Sequence, residues 1–237
     1  MTARNIPPQE RLIFAMDVPD VARARDLVDQ LGDSVQFYKL GLELLMSGGY
    51  FELVDWLAER DKRIFVDLKF FDVPATVGRA VSRLRNRGVT FATVHGNQSM
   101  MEAAAEAKGD VKILAVTVLT SLDRGDLDDL GFQCDVEDLV VSRARRALES
   151  GCDGVVSSGL EAKRLREFID HRLIVVTPGI RPVENRPADD QKRVVTVETA
   201  FSNGADYIVV GRPIRDAADP RVAAEGIQQT IAQAVAT

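Results

Sequence analysis

Short apolar, β-branched runs punctuate the whole chain: Leu12 to Met16, Val35 to Leu40, Ile64 to Leu68, Phe91 to Val94, Ile113 to Leu119, Gly154 to Val156, Leu173 to Val176 and Tyr207 to Val210. They lack the alternation of a half-solvated sheet, so each reads as a strand buried on both faces, the kind found in parallel sheets. Between them, apolar residues recur at spacings of three and four, as in Val21, Ala24, Leu27, Val28 and Leu31, or in Val77, Ala80, Val81 and Leu84. That spacing predicts amphipathic helices. Gly32, Gly88, Gly109, Gly151 and Gly204 each close a helical pattern a few residues before the next strand, as a left-handed C-terminal cap would.

A strand followed by a helix, repeated eight times, predicts a closed (β/α)8 barrel, whereas an open doubly wound sheet more often has about five to seven strands. The length of 237 residues suits one such barrel, which runs about 250 residues as a unit. No Pro/Gly/Ser-rich linker or low-complexity tract divides the chain. The expectation is one domain over 1–237, with 1–11 as an extension before the first strand.

An apolar fraction of 46% argues against a disordered chain. The formal net charge of -6 and a pI near 5.1 argue against nucleic acid as the main partner, because phosphate contacts call for a basic face. The opening MTARNIPPQER is polar and charged with no apolar stretch after it, which indicates neither a signal peptide nor a transit sequence. Strongly apolar runs such as Ile113 to Val116 fall far short of the roughly 20 residues of a membrane span. Cys134 and Cys152 have no CxxC spacing and no histidine nearby, so a reduced, cytoplasmic protein is expected.

In this fold the active site gathers at the C-terminal ends of the strands, and there the apolar runs give way to polar residues. They end at Asp17, Lys39, Asp67 and Lys69, His95, Thr117 and Thr120, Thr177 to Arg181, and Gly211 and Arg212. In an extended chain positions 67 and 69 point to the same side, so Asp67 and Lys69 are expected to face inward together. The plainer alternative is a pair that only satisfies itself, but buried ion pairs seldom add net stability. Only seven of the 30 cationic residues are lysines, and two of the seven, Lys39 and Lys69, end strands. A lysine can give up a proton in catalysis, whereas an arginine effectively cannot.

The runs Thr177-Pro-Gly-Ile-Arg-Pro182 and Gly211-Arg-Pro213 follow the seventh and eighth strands, the usual phosphate site of this fold. Glycines let backbone N–H groups approach phosphate oxygens, and arginine binds them bidentately; simple turn formation is the alternative. From Arg181 to Arg193 there is one aliphatic residue, Val183, and no periodicity. This stretch reads as a polar lid over a bound phosphate, with Gln191 a candidate bridge to substrate, or else as a solvated loop. His95 either lines the site or is a hydrogen-bonded structural residue, and His171 reads as an exposed cap at a helix end. Asp123, Asp126, Asp128 and Asp129 lack the ligand order of a calcium loop and read as a solvated loop. Neither histidine has metal-ligand spacing.

The run Asp67-Leu-Lys-Phe-Phe-Asp-Val-Pro74 resembles the DxKxxD(I/V)P signature of the orotidine 5'-phosphate decarboxylases, (β/α)8 enzymes of pyrimidine synthesis. The resemblance continues through Asp17-Val-Pro19, Tyr38-Lys-Leu-Gly41, Thr120-Ser121, Thr177-Pro-Gly-Ile-Arg181, Gln191 and Val210-Gly-Arg-Pro213. Val73 stands where the family often has isoleucine. The resemblance implies that Asp17 and Lys39 hold the ribose hydroxyls and that Asp67, Lys69 and Asp72 form the catalytic array, with Lys69 as proton donor. It further implies that Thr120 and Ser121 meet the pyrimidine, and that Pro178, Arg181, Gln191, Gly211 and Arg212 belong to the substrate and phosphate grip. Asp72 and Thr76 would reach into a neighbouring subunit's site, so a homodimer is implied. The implied reaction uses neither metal nor organic cofactor. Two rivals stay open: a magnesium-dependent enzyme working on a sugar phosphate through an enediolate, and a silent phosphate-binding barrel. The first wants a carboxylate on the second strand, where this chain has Lys39 with Glu43 beyond it.

Overall fold

The computed structural model describes residues 6–181 and 193–236. Eight strands, β1 (Leu12–Ala15), β2 (Phe37–Leu40), β3 (Arg63–Phe70), β4 (Val89–Val94), β5 (Lys112–Val116), β6 (Gly154–Val156), β7 (Ile174–Thr177) and β8 (Tyr207–Val210), close into a barrel in sequence order. Every neighbouring pair is parallel, and β1 completes the ring by pairing with β8 through Ile13↔Val209. The strands therefore stand as the apolar runs predict, with one clear overreach: β5 stops at Val116, not Leu119. The Val118 and Leu119 carbonyls turn instead to the guanidinium of Arg193, at 3.0 and 2.9 Å.

Helices line the outside of the barrel, and their ends follow local chemistry. The helix Val21–Leu31 starts where the Asp20 carboxylate accepts from the Arg23 N–H at 2.8 Å, and it buries Ala24, Leu27, Val28 and Leu31 against the sheet. Full burial of each leucine or valine contributes about 1.5–3 kcal/mol. The long helix Pro220–Val235 has Asp219 as its cap and Pro220 in the first turn, where a missing N–H costs nothing. All five glycines expected as caps have positive φ, from 54° to 97°. At Gly88 a side chain would also collide, since an added Cβ would lie 2.8 Å from that of Ala58.

Two sequence expectations need correction here. The acidic stretch after β5 is not an open loop: Arg124–Asp129 is a short helix, because Asp123 and Asp126 form a reciprocal capping box. His171 is exposed, but it lies beyond the end of the helix Ala162–Phe168 and does not cap it.

Successive strand residues point alternately outward to the helices and inward to the barrel axis. The inward set contains Ile13, Phe37, Phe65, Phe91, Leu114, Ile174, Val176 and Tyr207, with Phe91 packed against Phe37, Phe65 and Tyr207 at centroid distances of 5.2 to 5.9 Å. Below this aromatic layer, at the N-terminal mouth, Arg63 pairs with Glu10 and lies over the Phe37 ring, and Ile6 packs against the inner cluster. Described residues of the N-terminal extension therefore help close that end. Above the layer, the next inward positions on β2 and β3 are Lys39 and Asp67, two residues beyond Phe37 and Phe65.

Candidate active site

The C-terminal mouth opens into a cavity of about 500 Å³. Ten of the thirteen candidate residues line it: Asp17, Lys39, Asp67, Lys69, Thr120, Ser121, Pro178, Arg181, Gly211 and Arg212. On its floor the charges alternate. Asp17 Oδ1 is 3.0 Å from Lys39 Nζ, Lys39 Nζ is 3.5 Å from Asp67 Oδ2, and the same Oδ2 is 3.0 Å from Lys69 Nζ.

The side chains of Asp67 and Lys69 do meet, but not through a regular pleat. Between the pairings Val66↔Ala92 and Phe70↔Val94, β3 spends four steps against two on β4. Such a bulge is a common way to re-aim side chains beside a site. Lys69 sits in it with a left-handed φ of 49°, uncommon for a residue with a side chain. Its N–H donates to Thr93 Oγ1 at 2.9 Å.

Burial and charge work against each other along this row. Burial alone would depress the Lys39 ammonium, but the flanking Asp67 and Asp17 carboxylates outweigh it and raise its pKa above the ordinary lysine value. Burial would likewise raise Asp67, and it is overcome by Lys39, Lys69 and the Thr93 hydroxyl, so the carboxyl stays below its ordinary value. Both groups are thus held charged where an isolated ion would be neutralised.

The upper wall is cationic. Arg181, Arg212 and Arg215 join Lys39 and Lys69 around the cavity, five cations against the carboxylates of Asp17 and Asp67. Sequence reasoning passed over Arg215, whose guanidinium donates to the Asp17 carbonyl at 2.8 Å. Its signal was available: Arg212–Arg215 is one helical turn, so Arg215 follows Arg212 by three positions. Thr93 was also missed, a polar side chain inside a strand whose neighbours Ala92 and Val94 are fully buried. Arg193, the last residue of the 181–193 stretch, is buried: its N–H bonds the Thr120 carbonyl at 3.2 Å and its guanidinium bonds Glu161 at 2.6 Å. No sequence signal marked it.

Of the other three candidates, two are not at this cavity and one lies outside the described residues. Asp72 is exposed and its carboxylate accepts from the Val73 N–H at 2.6 Å; Thr76 accepts from Arg79 at 3.0 Å, on the helix Pro74–Ser82. Gln191 and most of the 181–193 stretch lie outside the described residues, although Ile180 and Val195 on either side of it form a parallel bridge. His95 lines a second, mainly apolar cavity and packs edge-on to Phe71 at 5.7 Å, with its pKa lowered by burial and by Arg143 and Lys69. Cys134 and Cys152 are unpaired, and burial pushes the Cys152 thiol up to about 12, which makes it inert. Among the described residues, no three His, Cys, Asp or Glu side chains converge to hold a metal ion, and no helix is long and apolar enough to cross a membrane.

The sequence profile of the "Orotidine 5'-phosphate decarboxylase / HUMPS family" matches residues 10–227. The orotidine 5'-phosphate decarboxylase of Methylococcus capsulatus is 71% identical over 231 residues, 98% of this chain and 96% of that protein. That of Stenotrophomonas maltophilia is 56% identical over 229 residues, 96% of this chain and 95% of that protein. The crystal structure of the Lactobacillus acidophilus orotidine 5'-phosphate decarboxylase superposes with a TM-score of 0.81 at 35% identity, covering 94% of this chain and 99% of that one.

Proposed function

Since the chain belongs to the orotidine 5'-phosphate decarboxylase / HUMPS family, we propose that it is a carboxy-lyase of pyrimidine biosynthesis converting orotidine 5'-phosphate to uridine 5'-phosphate and CO2. The observation that carries this reading is the row Asp17, Lys39, Asp67, Lys69 at the foot of a cationic cavity. A phosphate suits the arginine-lined wall, a ribose suits the Asp17 and Lys39 pair, and the pyrimidine then faces Thr120, Ser121 and Lys69.

In the proposed reaction the bond from C6 to the carboxylate breaks, its electron pair stays on C6, and Lys69 Nζ gives C6 a proton that solvent later returns to the amine. No neighbouring electron sink exists on the ring, so fixed charge must stabilise the carbanion. A substrate carboxylate placed about 4 Å from Asp67 meets a repulsion of about 4 kcal/mol at an effective dielectric of 20. Departure of neutral CO2 relieves it. Lys39 also favours this reading over the magnesium-dependent alternative, since it puts an ammonium between Asp17 and Asp67 where a divalent ion would need a carboxylate.

Asp72 would complete the array from a second copy. It lies between Phe71 and Val73, exposed by 66% and 62%, and this apolar flank suits a covered face. The 181–193 stretch, with Gln191, would close over the phosphate. Two unpaired thiols accord with a cytoplasmic setting.

Lys69→Ala tests the assignment. Turnover should fall by at least about 10³-fold, the loss of a positioned donor and of its charge together, while uridine 5'-phosphate still binds. Mixing Lys69→Ala with Asp72→Ala protein should regenerate activity in the hybrid dimers. Robust turnover by Lys69→Ala contradicts its role, and a mixture as inactive as its parts contradicts the shared site.

A further inference from the structure

We propose that Thr93 is a positioning residue of this site: its one hydroxyl fixes both the rotation of the Asp67 carboxylate and the backbone of Lys69. The inference rests on the reading that Asp67 and Lys69 carry the decarboxylation.

Thr93 is fully buried in β4, and a hydroxyl in such a wall needs partners. It has two, both on β3. The Lys69 N–H donates to Oγ1 at 2.9 Å, and Oγ1 lies 2.9 Å from Asp67 Oδ1. Proton accounting settles the directions. An amide N–H can only donate, so it occupies a lone pair of the hydroxyl and leaves the single hydroxyl proton for the carboxylate.

With Oδ1 taken by Thr93, Asp67 turns Oδ2 to both ammonium groups, Lys69 at 3.0 Å and Lys39 at 3.5 Å. The bulge removes the Lys69 N–H from the regular ladder and sets its φ at 49°. A non-glycine residue persists in that conformation only when its surroundings over-determine it. The bond to Thr93 replaces the missing ladder bond and pins the strand where the lysine leaves it. Thr93 touches no reacting atom in this arrangement and acts only through the two residues it holds.

Thr93→Val removes the hydroxyl at nearly constant shape, and Thr93→Ser keeps it. With orotidine 5'-phosphate as substrate, Thr93→Val should lower kcat about 10- to 100-fold with KM within about threefold, as expected for a displaced catalytic group. Thr93→Ser should recover most of that loss, although both variants alter the buried side chain. If Thr93→Val fails to fold, Thr93→Ala against Thr93→Ser reads the same difference. A hydroxyl-free variant with kcat within about twofold of wild type, or a serine variant as slow as it, overturns the proposal. Full activity of Thr93→Val beside an inactive Lys69→Ala overturns it and leaves the decarboxylase reading standing. Wild-type protein that leaves orotidine 5'-phosphate intact overturns that reading and the present inference together.

Discussion

At the N-terminal mouth of the barrel one cation, Arg63, meets one carboxylate, Glu10, and lies on the Phe37 ring with Ile6 packed below. At the C-terminal mouth Lys39, Lys69, Arg181, Arg212 and Arg215 line the cavity together with Asp17 and Asp67, and Arg215 also pairs with Asp216. Both ends break the apolar lining of the same barrel with charge, but at the lower end Arg63 and Glu10 pair directly over the Phe37 ring. Among the described residues, the upper end lines a cavity of about 500 Å³ with more cations than carboxylates. An ion pair that closes on itself leaves no charge for a ligand to meet. A group of cations lining an open cavity fits an anionic ligand, and part of their desolvation cost is offset when that ligand arrives.

The contrast is sharpest at Arg212, expected to act through binding although it is remote from the reacting carbon. Arg212→Ala should lower kcat/KM by about 10²- to 10⁴-fold, because phosphate binding energy is used at the transition state. An unchanged kcat/KM would remove the reason for placing the phosphate there.

A smaller effect should appear in the pH dependence of folding. Asp67 titrates below its ordinary value of 3.8, so its contribution is present above about pH 4 and is lost as pH falls through the folded value. Lys39 titrates above its ordinary 10.5, so its contribution is full below that pH and is lost as pH rises through the folded value. Melting temperatures measured across both limbs should show a plateau between them, with the acid limb flattened in Asp67→Asn. Identical acid limbs in the two proteins would contradict the electrostatic picture of the row.

The least effect on activity belongs to the lower mouth. Arg63→Ala should cost about 1–2 kcal/mol of stability, from a half-exposed ion pair and a cation–π contact, and a few degrees of melting temperature. Its kcat/KM should stay within about twofold of wild type. A large kinetic loss would erase the distinction between the two ends.

Much of this was legible in the sequence. Buried strands announce themselves because both faces are apolar, and the eight runs map onto β1 to β8 with β8 matched at both ends. The overreach of β5 came from the same rule: Val118 is apolar and buried, but its carbonyl bonds Arg193 and not a neighbouring strand. Asp17, Lys39, Asp67 and Lys69 stood out as charges at the ends of apolar runs. Thr93 did not, because threonine is at home in strands and its role comes from a bulge on β3, which only the register reveals. Arg193 sits in a stretch with no periodicity, and its partner Glu161 is 32 positions away. The place of Asp72 was suggested by family resemblance alone, since within one chain it caps its own neighbour.

The central claim is that the upper mouth removes CO2 from orotidine 5'-phosphate with its own side chains. Its most direct test is the ultraviolet absorbance of that compound on mixing with the purified protein, with and without a chelator. The absorbance should fall to that of uridine 5'-phosphate at the same rate in both. Absorbance that stays constant, or a fall abolished by the chelator and restored by magnesium, would contradict it.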